Sequence, residues 1–186
     1  EALKTEPYYW GTTPEDEYFD LHGIKSTKSF YTSPRGVTLF TKSWLPPNNH
    51  PRGVIFMVHG YGNDISWTFQ ATTIFLAQNG YACFAVDLEG HGKSEGLKAY
   101  VPNVDLVVDD CLSFFNFILS QNPTFQNLPK FLYGESMGGA ICLLIHFKIP
   151  TLFNGAILIA PMCKISEKVR PRWPIPEILT IVARFA

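Results

Sequence analysis

The segment Gly134–Gly138 has the clearest chemical potential in the chain, because it places a serine between two glycines in the pattern Gly-x-Ser-x-Gly. A short apolar run, 131–133, precedes it, and an apolar stretch follows it. A serine at a sharp strand-to-helix turn has a strained backbone, and its hydroxyl stands exposed as a nucleophile. Side chains at Gly134 and Gly138 would collide where strand and helix pass closely. We therefore predict that Ser136 attacks a carbonyl carbon and forms an acyl-enzyme.

A second segment, His59–Gly62, follows another short apolar run and is rich in glycine. Attack on a carbonyl places negative charge on its oxygen, and backbone N–H groups stabilise that oxyanion. We predict that these donors are the N–H of Tyr61 and the N–H of Met137, the residue after the serine. Gly60 and Gly62 allow the backbone to approach the substrate closely.

The remaining polar motifs are predicted to support these two loops rather than to react. We expect the ring of His59 to bond to nearby backbone. The spacing of His59 and Asp64 also occurs in some glycerolipid acyltransferases, but here it overlaps the predicted oxyanion loop. The stretch Asp87–Ser94 contains Gly-His-Gly after an apolar run. We interpret it, including His91, as a tight scaffold loop.

The elements that must position these residues follow an alternating pattern. Continuous apolar runs are typical of parallel strands that are buried on both faces. Stretches with apolar residues at spacings of three and four indicate helices between them. Alternation of the two predicts an α/β fold with a mostly parallel sheet and helices on both faces, preceded by a hairpin around Pro34–Gly36. The predicted strands are 54–58, 81–86, 131–133 and 156–160, the predicted helices 66–79, 103–120 and 137–148, and the hairpin arms 28–33 and 37–45.

Composition excludes several classes of protein. The 186 residues suffice for one domain, and 46% hydrophobic with 17% charged residues excludes a disordered chain. A formal net charge of −1 provides no basic field for nucleic acid. The four cysteines form no Cys-x-x-Cys pair, so we expect neither a metal knuckle nor a redox motif. No cofactor and no metal are expected for the site. No apolar run reaches the length of about 18 residues that a membrane span requires.

Three segments in this order, HGYG, DLEGHGKSEG and GESMGG, resemble the α/β-hydrolase superfamily. Within it, the chain is similar to the monoacylglycerol lipase and lysophospholipase-like serine hydrolases, in a plant-type form close to the caffeoylshikimate esterases. The resemblance covers about residues 28–186. It implies that Ser136 is the nucleophile, that Tyr61 and Met137 form the oxyanion hole, and that a helical cap with an acyl tunnel begins near Pro161. The expected organisation is an N-terminal extension, 1–27, a core, 28–160, and the start of the cap, 161–186.

The resemblance also implies an acid and then a histidine after the cap. Beyond Ser136 the chain contains one histidine, His146, and the acids Glu167 and Glu177. His146 lies ten residues along the helix that leaves the serine, a rise of about 15 Å, which is too far for a hydrogen bond. We therefore expect that the chain is the N-terminal half or more of an enzyme, cut within its cap and without its C-terminal strands. Strand 156–160 would then lie at a sheet edge, and the chain alone would hydrolyse esters near background.

Several interpretations of function stay open on the residues alone. The leading one is hydrolysis of monoacylglycerol or lysophospholipid esters; alternatives are an acyltransferase or a caffeoylshikimate-type esterase that uses the same serine. A non-enzymatic ligand-binding homologue is an alternative of another class. We expect a cytoplasmic protein with at most peripheral membrane contact, through an apolar helix from Glu177 in which Ile178 and Leu179 favour long acyl chains. The oligomeric state stays open.

Overall fold

A mixed six-stranded sheet is the centre of the fold. A computed structural model of the protein describes residues 10–101 and 103–164. The strand order is β1-β2-β4-β3-β5-β6. The first two strands form an antiparallel hairpin, β2 pairs antiparallel with β4, and the other neighbours are parallel. The strands are β1 Lys25–Thr32, β2 Thr38–Leu45, β3 Gly53–Val58, β4 Tyr81–Val86, β5 Lys130–Glu135 and β6 Gly155–Ile159.

Helices connect the strands at the three predicted places, and the structure adds a helix before β1 and a 3₁₀ helix before β5. They are α1 Glu15–Leu21, α2 Ile65–Thr68, α3 Gln70–Gln78, α4 Val104–Gln121 and α5 Met137–Lys148, with a 3₁₀ helix at Pro123–Asn127. The prediction of one helix over 66–79 was wrong in one respect, because Phe69 leaves helical geometry and separates α2 from α3. The side chain of Phe69 is fully buried at this break.

Helices cover both faces of the sheet, as the continuous apolar strands predict. Alternate residues of β3 point to opposite faces. Val54, Phe56 and Val58 pack in one core cluster with residues of α4 and α5. Ile55 and Met57 pack in a second cluster with residues of α1 and α3. The predicted α/β fold class, with its mostly parallel sheet between two helical layers, is confirmed.

The predicted division into extension, core and cap stays a prediction. Residues 15–21 of the predicted extension form α1, and Phe19 is buried in the second core cluster. The first strand begins at Lys25. Of the predicted cap, residues 165–186 lie outside the described residues, and with them the helix expected from Glu177. In the order of the described strands, β6 is the last.

An ion pair of the buried Lys42 links α1 to the sheet. The ammonium of Lys42 on β2 pairs with the carboxylate of Glu15, and only 2% of the Lys42 side chain is exposed. The Lys42 Nζ atom also lies 5.0 Å from the ring centroid of Phe19, 5.1 Å from that of Trp44 and 5.9 Å from that of Trp10. Burial lowers the pKa of Lys42, and the hydrogen bond with Glu15 opposes that shift. The arrangement supplies the desolvated cation with an anion and with aromatic faces.

We expect Glu15→Gln to destabilise the fold by about 2 kcal/mol, because it leaves a buried ammonium without its anion. Burial alone would raise the pKa of Glu15, but hydrogen bonds from Lys28 and Lys42 outweigh it and lower the pKa. The stabilisation by Glu15 is therefore present above the unfolded-state pKa and is lost as the pH falls through the folded-state value. Urea unfolding at pH 7 measures the effect.

Asp16→Asn is the matched control for this prediction. The Asp16 carboxylate pairs with Lys28 at 3.2 Å but is 79% exposed, so its loss should change stability by less than about 1 kcal/mol. Equal unfolding free energies for the two variants would contradict a special role of the Glu15–Lys42 pair.

Candidate active site

Ser136 stands alone between β5, which ends at Glu135, and α5, which begins at Met137. Its φ of 52° and ψ of −115° place a non-glycine residue in a sparsely populated backbone region. Neighbouring backbone holds this conformation: the Ser136 N–H donates to Ile159 O at 2.9 Å, and the Met162 N–H donates to Ser136 O at 2.9 Å. The predicted strained turn is present.

The glycines of this turn stand where no side chain fits. A Cβ on Gly134 would lie 2.5 Å from Gly138 O and 2.7 Å from the Sγ of Cys142. A Cβ on Gly138 would lie 2.6 Å from His59 O and even nearer to the carbonyl oxygen of Val58. Real Cβ contacts are longer than this, so the crossing of strand and helix requires both glycines.

The loop after β3 lies directly against the serine. A Cβ on Gly60 would lie 3.3 Å from the Cβ of Ser136 and 4.0 Å from its Oγ. Gly62 has a φ of 70°, a conformation that favours glycine. Tyr61 lies between these two glycines, and its side chain is 59% exposed. The structure thus brings the two loops that the sequence singles out to one place.

Met137 opens α5 and its side chain is buried. The first N–H groups of a helix have no acceptor within the helix and lie at the positive end of its dipole. An N–H at this position is suited to an anionic oxygen. The pairing of Met137 with Tyr61 as the two oxyanion donors stays a prediction.

His59 is a structural residue, as predicted. The Leu88 N–H donates to its Nε2 at 3.0 Å, so Nδ1 carries the proton and donates to Gly60 O at 2.7 Å. Burial lowers the pKa of His59 to about 4. Asp64 precedes α2 and caps it, because its carboxylate accepts from the N–H groups of Ser66 and Trp67. Both members of the acyltransferase-like spacing are therefore engaged with backbone.

We expect the His59 ring to stay neutral down to about pH 4. An unfolded chain would protonate the same ring near pH 6.5, so the contribution of His59 to stability is lost as the pH falls from about 6.5 to 4. Burial raises the pKa of Asp87 to about 6, and this acts on stability in the opposite direction over the same range. An NMR titration of the His59 ring, identified by comparison with His59→Gln, separates the two. A midpoint near 6.5 would contradict the prediction.

The loop after β4 is a scaffold, as predicted. The carboxylate of Asp87 accepts from the N–H of Ile65 at 2.8 Å and from that of Lys93 at 2.9 Å. It thereby joins the start of α2 to the Gly-His-Gly loop. His91 is 4% exposed, and its Nδ1 lies 2.9 Å from the carbonyl oxygen of Glu89. Sequence reasoning missed the bond from Ile65, which lies 22 residues from Asp87 along the chain.

His146, the one histidine after Ser136, lies in the last turn of α5.

Within residues 10–101 and 103–164, no group of three or more His, Cys, Asp or Glu side chains is placed to hold a metal ion. Three of the cysteines are buried and Cys163 is exposed, and none of the four forms a disulfide.

Residues 49–186 match the model of the Hydrolase_4 family, described as serine aminopeptidase, S33. The chain is 41% identical over 164 residues to a caffeoylshikimate esterase of Arabidopsis thaliana, and the alignment covers 88% of this chain and 49% of that protein. It is 36% identical over 127 residues to a monoglyceride lipase of Rattus norvegicus, covering 68% and 40% respectively. The chain thus spans about half the length of the curated relatives it matches.

Two solved structures have a similar fold. An esterase of Pyrococcus furiosus aligns with a TM-score of 0.68 and 17% identity, covering 97% of this chain and 68% of its own. A carboxyl esterase of Bacillus coagulans aligns with a TM-score of 0.61 and 24% identity, covering 84% and 48%. At these identities the likeness establishes the fold alone.

Proposed function

Because this chain belongs to the Hydrolase_4 family of α/β hydrolases, we propose that the full-length protein is a serine hydrolase that cleaves carboxylic esters. The observation that carries the proposal is the strained Ser136 at the β5–α5 turn, with the loop of Gly60 packed against it. A strained backbone conformation at a non-glycine residue costs free energy, and such conformations cluster at functional sites.

The reaction would proceed through an acyl-enzyme. Ser136 Oγ attacks the ester carbonyl while its proton passes to a histidine base, and the N–H groups of Tyr61 and Met137 bind the oxyanion. Collapse of the tetrahedral intermediate expels the alcohol, which takes the proton, and water then attacks the acyl-enzyme in the same way. His59 does not serve as that base, because both its nitrogens bond to backbone.

Relatives support two classes of ester as substrates. One relative is a monoglyceride lipase, and this favours monoacylglycerols; lysophospholipids are included because the sequence also resembles lysophospholipase-like hydrolases. The other is a caffeoylshikimate esterase, similar over more of the chain and at higher identity, and this favours a phenolic ester as the second candidate. We propose the lipid class first, because several curated relatives are monoglyceride or monoacylglycerol lipases, with the phenolic class as the alternative.

A substrate panel tests the proposal. The full-length protein is incubated with 2-oleoylglycerol, oleoyl lysophosphatidylcholine and caffeoylshikimate, and a fluorophosphonate probe reports reaction at the serine. We expect labelling and turnover of at least one ester. Absence of both would contradict the proposed function and favour a ligand-binding homologue. Transfer of the acyl group to added glycerol or shikimate, in preference to water, would identify an acyltransferase.

Membrane contact is proposed to be peripheral. No helix in the described part of the chain is long and apolar enough to cross a bilayer. The apolar helix expected from Glu177 would lie on the surface, where such a helix binds modestly and reversibly. Release of the full-length protein from vesicles by a carbonate wash tests the proposal; retention would contradict it.

A further inference from the structure

We propose that the side chain of Tyr61 is a positioning residue, whose hydrogen bond to Ala99 holds the Tyr61 backbone N–H beside Ser136. This inference rests on the proposed function and adds to it a residue that raises kcat by positioning an oxyanion donor. The Tyr61 hydroxyl donates to Ala99 O at 2.8 Å, across 38 residues of chain. The bond connects the loop after β3 to the loop after β4.

The loop that carries this N–H has little intrinsic rigidity. Gly60 and Gly62 flank Tyr61, and glycine has the widest conformational freedom of any residue. A Cβ on Gly60 would lie 3.3 Å from the Cβ of Ser136, a tight contact that disfavours a stiffer residue there. A turn hydrogen bond from Asn63 N–H to Gly60 O, at 3.3 Å, spans the loop. The side chain of Tyr61 supplies the contact that fixes the central peptide from outside.

The acceptor of this hydrogen bond is itself firmly held. The Ala99 N–H donates to Gly90 O at 2.7 Å, and the Tyr100 N–H donates to Leu97 O at 2.9 Å. A Cβ on Gly90 would lie 3.0 Å from Tyr100 O, so the two parts of the loop cross in close contact. Ala99 has a φ of 55°, which aims its carbonyl from an unusual conformation.

The ring of Tyr61 has a second fixed neighbour. Its centroid lies 5.7 Å from that of the His91 ring, at an interplanar angle of 74°, an edge-to-face arrangement. The His91 ring lies 5.3 Å from the buried ring of His59. Glu89, whose carbonyl oxygen is 2.9 Å from the Nδ1 of His91, also pairs with Arg35 at 2.6 Å. The tyrosine is therefore held at its hydroxyl by Ala99 and at its ring by His91.

A misplaced oxyanion donor affects the transition state more than the bound ester, because the charge on oxygen develops only during attack. Tyr61→Phe retains the backbone N–H and the ring and removes only the hydroxyl. Complete loss of a donor reduces kcat by about 10²–10³, and we expect a loosened donor to reduce kcat about tenfold. The KM should change by less than about twofold, since uniform binding is preserved.

Tyr81→Phe is the matched control. The Tyr81 hydroxyl accepts from Arg52 at 3.0 Å in an exposed position, and Tyr81 begins β4 at the end of the strand remote from the Gly-His-Gly loop. Both variants thus lose one exposed tyrosine hydrogen bond, and their thermal stabilities should fall by similar small amounts. Only Tyr61→Phe should lower kcat and weaken binding of a trifluoromethyl ketone, which forms a tetrahedral adduct with a serine nucleophile, by the same factor of about ten.

A measurement independent of turnover completes the test. Backbone ¹⁵N relaxation of Gly60, Tyr61 and Gly62 should show increased mobility in Tyr61→Phe and no change in Tyr81→Phe. Unchanged relaxation, or unchanged kcat and inhibitor affinity in Tyr61→Phe, overturns the positioning role. Equal losses of kcat in both tyrosine variants overturn it as well. Turnover that survives Ser136→Ala overturns the proposed function instead, so the two failures are distinguishable.

Discussion

Replacing Ser136 with alanine should reduce ester hydrolysis by the full-length protein about 10⁶-fold, to the level of the residual oxyanion and binding contributions. This loss corresponds to about 8 kcal/mol of transition-state stabilisation. The reason is that the substitution removes the oxygen that forms the acyl-enzyme, and a neighbouring group does not replace it. Turnover of a short-chain ester and labelling by a fluorophosphonate probe measure the effect.

The same substitution should leave the fold intact. Ser136 is held through its backbone, by Ile159 O and by the Met162 N–H, and alanine retains both bonds. Ser120→Ala is the control, because it removes an exposed serine hydroxyl on α4 that donates to Phe117 O at 2.7 Å. The control should retain full activity. Retained turnover in Ser136→Ala, at unchanged thermal stability, would exclude Ser136 as the nucleophile.

Gly138→Ala should have the largest effect on stability, a loss of about 3 kcal/mol or more. The new Cβ would meet the carbonyl oxygens of Val58 and His59, which belong to the backbone where β3 ends. Backbone atoms in a central strand cannot rotate away as a side chain does, so α5 would have to move off the sheet. Since α5 begins at Met137, its displacement would also disturb the predicted oxyanion donor. Denaturant unfolding and ester turnover measure the two consequences.

Gly155→Ala is the control for Gly138→Ala. A Cβ on Gly155 would lie 3.5 Å from a ring atom of Phe131, an ordinary van der Waals distance. We expect its stability to change by less than about 1 kcal/mol. If Gly138→Ala were as stable as Gly155→Ala, the close crossing of α5 over β3 would be wrong.

Local pattern predicts the central strands and helices well, because their burial is continuous. The predicted bounds of β4, Tyr81–Val86, and of α5, Met137–Lys148, agree with those in the structure. The break at Phe69 was not predicted. It depends on where a fully buried ring packs beneath the helix, and local periodicity contains no information about that.

Period-two alternation places Phe40, Lys42 and Trp44 on one face of β2, and the structure buries that face. The sequence could not indicate why a lysine is tolerated there. Its partner Glu15 comes from a helix 27 residues away in sequence, and only the fold brings the two charges together. A lone lysine on an apolar face is thus predictable as an anomaly, but its partner is not.

The candidate site divides in the same way. The serine, the two loops and the need for Gly134 and Gly138 follow from motifs with a mechanical reason. The contacts of Tyr61 with Ala99, and of Asp87 with Ile65, join loops that are far apart in sequence. They arise because the carboxyl ends of parallel strands meet at one edge of the sheet. No spacing within either motif specifies which residue of the neighbouring loop accepts the hydrogen bond.

The backbone bonds of Ser136 also have a consequence for the order of folding. Its N–H binds Ile159, the last residue of β6, and its carbonyl oxygen accepts from Met162, beyond that strand. During synthesis, β5 and the first turns of α5 emerge well before these residues do. The strained φ of the serine can therefore be secured only once β6 has docked beside β5. Reactivity towards a serine-directed probe would then appear no earlier than the docking of the sixth strand, and therefore late in refolding, after helical signals have formed.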